Sequence, residues 1–184
     1  MYTVGSMFAG VGGICRGFEN AAYKLVWSNE YNRNAAQTYS LNFEHSLDRR
    51  DITQNVHPSE FGKVDVITSG FPCQAFSVAG YRKGFNDSKG RGNLFLHTAE
   101  FVEHMNAKVF LLENVKNLAS HDNGNTLATI RNVMERELGY SFISFILNSK
   151  NFGVPQTRER LFMVGFRGEE GFDENKPENN DQYK

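Results

Sequence analysis

Apolar and polar positions along this chain follow two alternating periods. Short apolar runs, rich in β-branched residues and bounded by turn formers, predict strands over residues 3–8, 25–29, 64–69, 108–112, 141–148 and 160–166. Helices are predicted between them. Over 93–105, Leu94, Thr98, Phe101 and Met105 share one face, with Glu100 and Glu103 on another. Over 125–138, the stripe is Leu127, Ile130, Val133, Met134 and Leu138, which makes Met134 a core residue with no cofactor role. Strands alternating with helices predict an α/β fold with a mostly parallel central sheet and helices on both faces. Residues 169–184 are polar and without periodicity, so they read as a tail or linker following one domain over 1–168.

Composition narrows this picture. A chain of 184 residues with 40% hydrophobic and 22% charged residues fits a single globular domain. No apolar stretch is long enough to span a bilayer, and Met1-Tyr2-Thr3-Val4-Gly5 lacks the basic flank and apolar block of a secretory signal. A cytoplasmic protein with no membrane partner is expected, and its two cysteines, Cys15 and Cys73, should then be free thiols. The net charge of −1 offers no global argument for a nucleic-acid partner. The cations are nevertheless grouped: Arg82, Lys83, Lys89 and Arg91 follow Cys73, while Lys150, Arg158 and Arg160 lie near the last strand. Charge alone leaves two readings open, a phosphate-facing surface or a solvated one.

Four segments carry candidate chemistry. Gly70-Phe71-Pro72-Cys73-Gln74 follows a strand, and Pro72 restrains both its own φ and the backbone of Phe71, so Cys73 is a stiffly mounted thiol. It is a nucleophile or a small buried hydrophobe. Phe8-Ala9-Gly10-Val11-Gly12-Gly13 links the first strand to the first helix, where glycines admit a ligand close to the backbone and a helix N-terminus offers free N–H groups. Glu30 ends the second strand, where a carboxylate takes ribose hydroxyls. Cys15 stands where a dinucleotide fingerprint wants Gly or Ala, which favours an adenosyl cofactor over a nicotinamide or flavin. In Leu111-Leu112-Glu113-Asn114-Val115, Glu113 is either an acid at the ligand edge of the sheet or a cap on the following turn. In Gln156-Thr157-Arg158-Glu159-Arg160 the two arginines share one face of an extended backbone, to meet a substrate or to lie at a sheet edge beside Glu159. The five histidines form no metal set: His97 and His104 are two helical turns apart, and no cysteine pair accompanies them.

Taken together, FAGVGG, Glu30, GFPCQAFSVAG, RGNLF, LLENVKNL and QTRERLF, in this order and spacing, closely resemble the DNA (cytosine-5)-methyltransferases over about residues 2–168. The resemblance implies a Rossmann-like S-adenosyl-L-methionine-dependent methyltransferase fold, with a cytosine flipped out of double-stranded DNA as acceptor, S-adenosyl-L-homocysteine as product and no metal. Carried onto this chain, Phe8, Gly10, Gly12 and Gly13 line the cofactor site, Glu30 holds the ribose, Asp51 and Ile52 flank the adenine, and Leu94 completes that pocket. Cys73 becomes the nucleophile that adds to carbon 6, Glu113 the group that binds and protonates the base, and Arg158 and Arg160 its base and phosphate contacts. Ser77, Arg82 and Lys83 are expected to touch phosphates.

Members of that family continue into a target-recognition domain and a final helix beside the cofactor loop. This chain ends before both, so the expectation is a catalytic domain of restriction-modification type, with an inactive or split-enzyme fragment that needs a partner chain as the alternative. A transfer-RNA methyltransferase shares the Pro-Cys-Gln core, but Ala75-Phe76-Ser77-Val78-Ala79-Gly80 looks like the DNA enzymes. A nicotinamide oxidoreductase leaves Glu113 without a role.

Overall fold

A computed structural model describes residues 1–72 and 94–168. Cys73, Ser77, Arg82, Lys83 and the 169–184 tail lie outside the described residues. The strands are β1 (Thr3–Met7), β2 (Lys24–Asn29), β3 (Ser46–Asp48), β4 (Val66–Ser69), β5 (Val109–Val115), β6 (Ile143–Asn148) and β7 (Glu159–Phe166). The α-helices are α1 (Gly13–Asn20), α2 (Arg33–Ser40), α3 (Leu94–Met105) and α4 (Asn125–Asn132). All seven strands form one sheet in the order β3-β2-β1-β4-β5-β7-β6. The first five in that order run parallel, and β7 runs antiparallel to both β5 and β6. The expected mostly parallel α/β sheet is therefore what forms.

Two hydrophobic clusters coat the sheet. In β4, Val66 belongs to the cluster that includes Cys15, Tyr39 and Phe43, whereas its neighbour Ile67 belongs to the one that includes Phe101, Phe110 and Ile130. Successive strand residues point to opposite faces, so α1 and α2 cover one face and α3 and α4 the other. The apolar stripe read from α3 is buried through Thr98, Phe101 and Met105. Met134 is fully buried, as its place in the second stripe requires.

Element ends differ from the sequence expectations in instructive ways. β1 stops at Met7 because Phe8 turns to φ 51, which begins the glycine-rich turn into α1. β5 runs three residues beyond Leu112, since β7 pairs with it as far as Val115. The second apolar stripe is not one helix: α4 gives way at Val133–Glu137 to a π-helical turn. Neither β3 nor α2 has a strong pattern. β3 is three residues long, and α2 starts where the Asn32 side chain accepts the N–H groups of Asn34 and Ala35. Among the described residues, no helix is long and apolar enough to cross a membrane.

Candidate cofactor and catalytic site

The carboxyl ends of β1, β2, β4 and β5 lie side by side, which is where open α/β sheets bind ligands. Three turns and a strand end converge there. The turn after β1 is fixed by the end of β2. The Ala9 N–H donates to the Asn29 carbonyl (3.0 Å), and the Gly10 N–H donates to Glu30 Oε2 (2.8 Å). Gly12, at φ 96, begins α1, and its N–H returns to the Ala9 carbonyl at 2.9 Å. A Cβ at Gly12 would enter the Phe43 ring and touch Tyr39, so only glycine fits this turn. Space is open at Gly10 and Gly13.

The wall behind Gly12 is itself rigid. Tyr39 and Phe43 stack with centroids 4.4 Å apart, and the Tyr39 hydroxyl meets Ser28 Oγ at 2.7 Å and His45 Nε2 at 2.8 Å. Burial pushes the Tyr39 phenol well above its ordinary pKa and lowers that of His45, so both are held neutral in this network near pH 7.

Glu30 extends from the end of β2 with both carboxylate oxygens engaged, Oε2 by Gly10 and Oε1 by the Asn32 N–H at 2.7 Å. Each oxygen retains acceptor capacity for a ribose hydroxyl. Across from it, Asp51 accepts the N–H and hydroxyl of Thr53 at 2.9 and 2.8 Å, which fixes the tight turn carrying Ile52. Ile52 is buried in the larger cluster, and Leu94 packs against that same cluster. The structure thus brings Gly10, Gly12, Glu30, Asp51 and Ile52 to one end of the sheet, and Leu94 to the core beneath it.

The candidate catalytic half is built on β5. Glu113 Oε1 pairs with Arg160 Nε at 2.9 Å, and both side chains are about one-fifth exposed, at 21% and 23%. Because β7 is antiparallel, Arg160 lies opposite Val115, at the same edge as Glu113. A Cβ built on Gly70 would stand 3.7 Å from Glu113 Oε2, so the carboxyl lies directly beside the segment that leads into Cys73. The next residue, Asn114, donates to the Phe71 carbonyl at 2.8 Å, with the Phe71 ring buried 5.7 Å from that of Phe95. The cap reading of Glu113 fails, since the turn Lys116–Ala119 has no side-chain cap. Nor is the Glu159 carboxylate the counter-ion of Arg160: it pairs with Lys116 at 2.9 Å, and Arg160 Nη1 reaches only the Glu159 backbone carbonyl, at 2.8 Å. Arg158 is exposed just before β7, its N–H donating to Asn148 Oδ1 at 3.2 Å. Only Arg160 of the two meets Glu113.

Three residues escaped the sequence reading. Asn29 and Asn114 are buried polar residues at the ends of apolar strands, a signal visible in the chain but easily absorbed into the strand pattern. Tyr31, 67% exposed directly after Glu30, is an aromatic ring with no core to explain it. Among the described residues, no group of three or more His, Cys, Asp or Glu side chains is placed to hold a metal ion.

Comparison with known proteins bears on the whole chain. The profile of the C-5 cytosine-specific DNA methylases matches residues 2–184. The chain is 49% identical over 174 residues to the type II methyltransferase M.Bsp6I of Bacillus sp. (strain RFL6), covering 94% of this chain and 54% of that protein. It is 45% identical over 163 residues to the type II methyltransferase M.HhaI of Haemophilus parahaemolyticus, covering 89% and 48%. A mutant of Spodoptera frugiperda DNMT2 superposes with a TM-score of 0.69 at 26% identity, over 91% of this chain and 50% of that one. The chain spans about half the length of the curated relatives it matches.

Proposed function

The chain belongs to the C-5 cytosine-specific DNA methylases, and on that premise we propose that it forms the cofactor-binding and catalytic part of a cytoplasmic enzyme methylating carbon 5 of cytosine in double-stranded DNA, within a bacterial restriction-modification system. The observation that carries this reading is the Glu113–Arg160 pair beside Gly70, on the same sheet edge as the Glu30–Gly10 loop.

The residues present fit S-adenosyl-L-methionine. Gly10 and Gly13 leave open space along the turn, Glu30 faces a ribose, Ile52 and Leu94 give the adenine an apolar surround, and Tyr31 offers a ring face for stacking. When bound, that cofactor supplies an electrophilic methyl group.

The remaining chemistry belongs to the chain. Cytosine carbon 5 is a poor nucleophile, so the Cys73 thiolate first adds to carbon 6 and turns the ring into an enamine. Glu113 donates to ring nitrogen 3 as negative charge develops there, and Arg160 fixes the orientation of that carboxyl. Carbon 5 then takes the methyl group. Loss of the carbon-5 proton to a solvent base expels the Cys73 thiolate and restores the aromatic ring, and the proton on ring nitrogen 3 returns to Glu113. A stacked duplex admits none of these steps, so the base leaves the helix, with Arg158, Ser77, Arg82 and Lys83 meeting phosphates around it.

The test is a covalent trap. On duplex DNA containing 5-fluorocytosine with S-adenosyl-L-methionine, the chain should form a stable adduct and Cys73→Ser should not. Equal adducts from both proteins would reject Cys73 as the nucleophile.

One observation favours the second reading, a segment that needs further polypeptide for activity. An apolar groove of about 420 Å³ runs along α1, lined by Ile14, Phe18, Leu111 and Phe162 among others. Adduct formation only after the remaining part of a longer relative is supplied in trans would support it.

A further inference from the structure

The two halves of the cofactor pocket come from different parts of the chain: the glycine turn follows β1, and the Asp51–Ile52 turn follows β3. One buried residue ties them together. Asn29, the last residue of β2 and 2% exposed, lies between Met7 of β1 and Asp48 of β3 in the sheet. Its backbone carbonyl receives the Ala9 N–H at 3.0 Å. Its side-chain amide donates to the Arg50 carbonyl at 3.0 Å, immediately before Asp51, and reaches the Asp48 carbonyl at 3.5 Å. The next residue in the chain is Glu30, whose own N–H donates to that same Asp48 carbonyl at 2.9 Å. Arg50 is held from outside as well, its guanidinium spanning Asp48 and Glu60.

We infer that Asn29 is a positioning residue for the cofactor: through its carbonyl it sets the glycine turn, and through its amide it sets the adenine turn, at a fixed separation on either side of Glu30. This inference rests on the S-adenosyl-L-methionine reading above. Asn29 itself is buried and its amide contact to Arg50 is partly buried, so a carbonyl left unmatched there is costly and a turn left without its donor moves to find another. The amide is also specific. An aspartate of the same shape would set a carboxylate against the Arg50 and Asp48 carbonyls and the Asp48 carboxylate, whereas serine keeps one short donor.

The experiment measures S-adenosyl-L-homocysteine affinity by calorimetry on the full chain, for the wild type and for Asn29→Ala, Asn29→Ser, Asn29→Asp and Asn114→Ala. Asn114 is a second buried strand-end asparagine, tied to the Phe71 carbonyl instead. Asn29→Ala and Asn29→Asp should weaken binding by about tenfold or more, the loss expected when a partly buried acceptor is left unmatched at a binding turn, and Asn29→Ser should recover part of it. Asn114→Ala should bind within about twofold of the wild type, although the hydrogen bond it removes is the more deeply buried of the two. Urea unfolding without ligand identifies variants that are folded at the assay temperature. Folded Asn29 variants with wild-type affinity, or equal losses from Asn29→Ala and Asn114→Ala, would overturn the positioning role. A wild-type chain that binds no S-adenosyl-L-homocysteine would overturn the cofactor reading itself, a distinct result.

Discussion

The side chain of Asn114 holds the carbonyl of Phe71 at 2.8 Å, so β5 carries the candidate acid and, one residue later, the anchor of the loop that leads to Cys73. The candidate acid and the Phe71 backbone are thereby referenced to a single strand. Since adjacent strand residues point to opposite faces, Glu113 and Asn114 serve the two without competing for space. Asn114→Ala leaves the buried Phe71 carbonyl unmatched and should cost about 1–3 kcal/mol of stability. It should also slow the 5-fluorocytosine adduct by about tenfold or more, because small errors in a reacting group's placement are expensive. Adduct kinetics alongside urea unfolding check both.

Glu113→Gln keeps a hydrogen-bonding group but can no longer give up a proton to ring nitrogen 3. Methyl transfer should fall by about a hundredfold, with cofactor affinity within about twofold of the wild type. A loss in affinity equal to the loss in rate would place Glu113 in the cofactor pocket instead.

Gly12→Ala tests the cradle. A methyl group there meets the Phe43 ring at a backbone φ of 96, which alanine rarely adopts. The expected outcome is a melting temperature lower by about 5 °C and S-adenosyl-L-homocysteine affinity reduced by at least about tenfold. Thermal unfolding and calorimetry report the two effects. Phe43→Ala in the same chain should relieve part of the clash.

Asp65 predicts a pH dependence that does not involve the site. Lys108 at 2.8 Å and the N–H and hydroxyl of Thr3 hold its pKa down from 3.8 to about 2. The folded state thus binds this proton less readily than the unfolded chain does. The stabilisation is complete above about pH 4 and disappears as the pH falls towards 2. Asp65→Asn should lower stability at neutral pH and flatten that acid limb, as urea unfolding at a series of pH values will show.

The strands and the α3 stripe were legible in the sequence because β-branched runs and helical periods are strong local signals. So were Gly12 and Glu30, since backbone geometry and a strand-end carboxylate leave marks on the chain itself. The Glu113–Arg160 contact was not legible from the residues, because it depends on the direction of β7, which neither residue encodes. β3 and α2 were obscure for another reason: three residues and a polar helix carry too little pattern, and tertiary contacts decide them. The roles of Asn29 and Asn114 rest on hydrogen bonds to carbonyls 21 and 43 residues away, which no local rule foresees.

The reversal of β7 has one more implication. Val115 faces Arg160 at one end of the β5–β7 pair, and Val109 faces Phe166 at the other. Had the last strand run with its neighbours, the arginine would have stood beside Val109, about 20 Å from where it now sits. A hairpin, unlike a helical crossover, returns the chain to the edge it has just left. β7 begins where the reaction would occur and runs away from it, so the connection between β6 and β7 is free to change in length while the guanidinium stays in place.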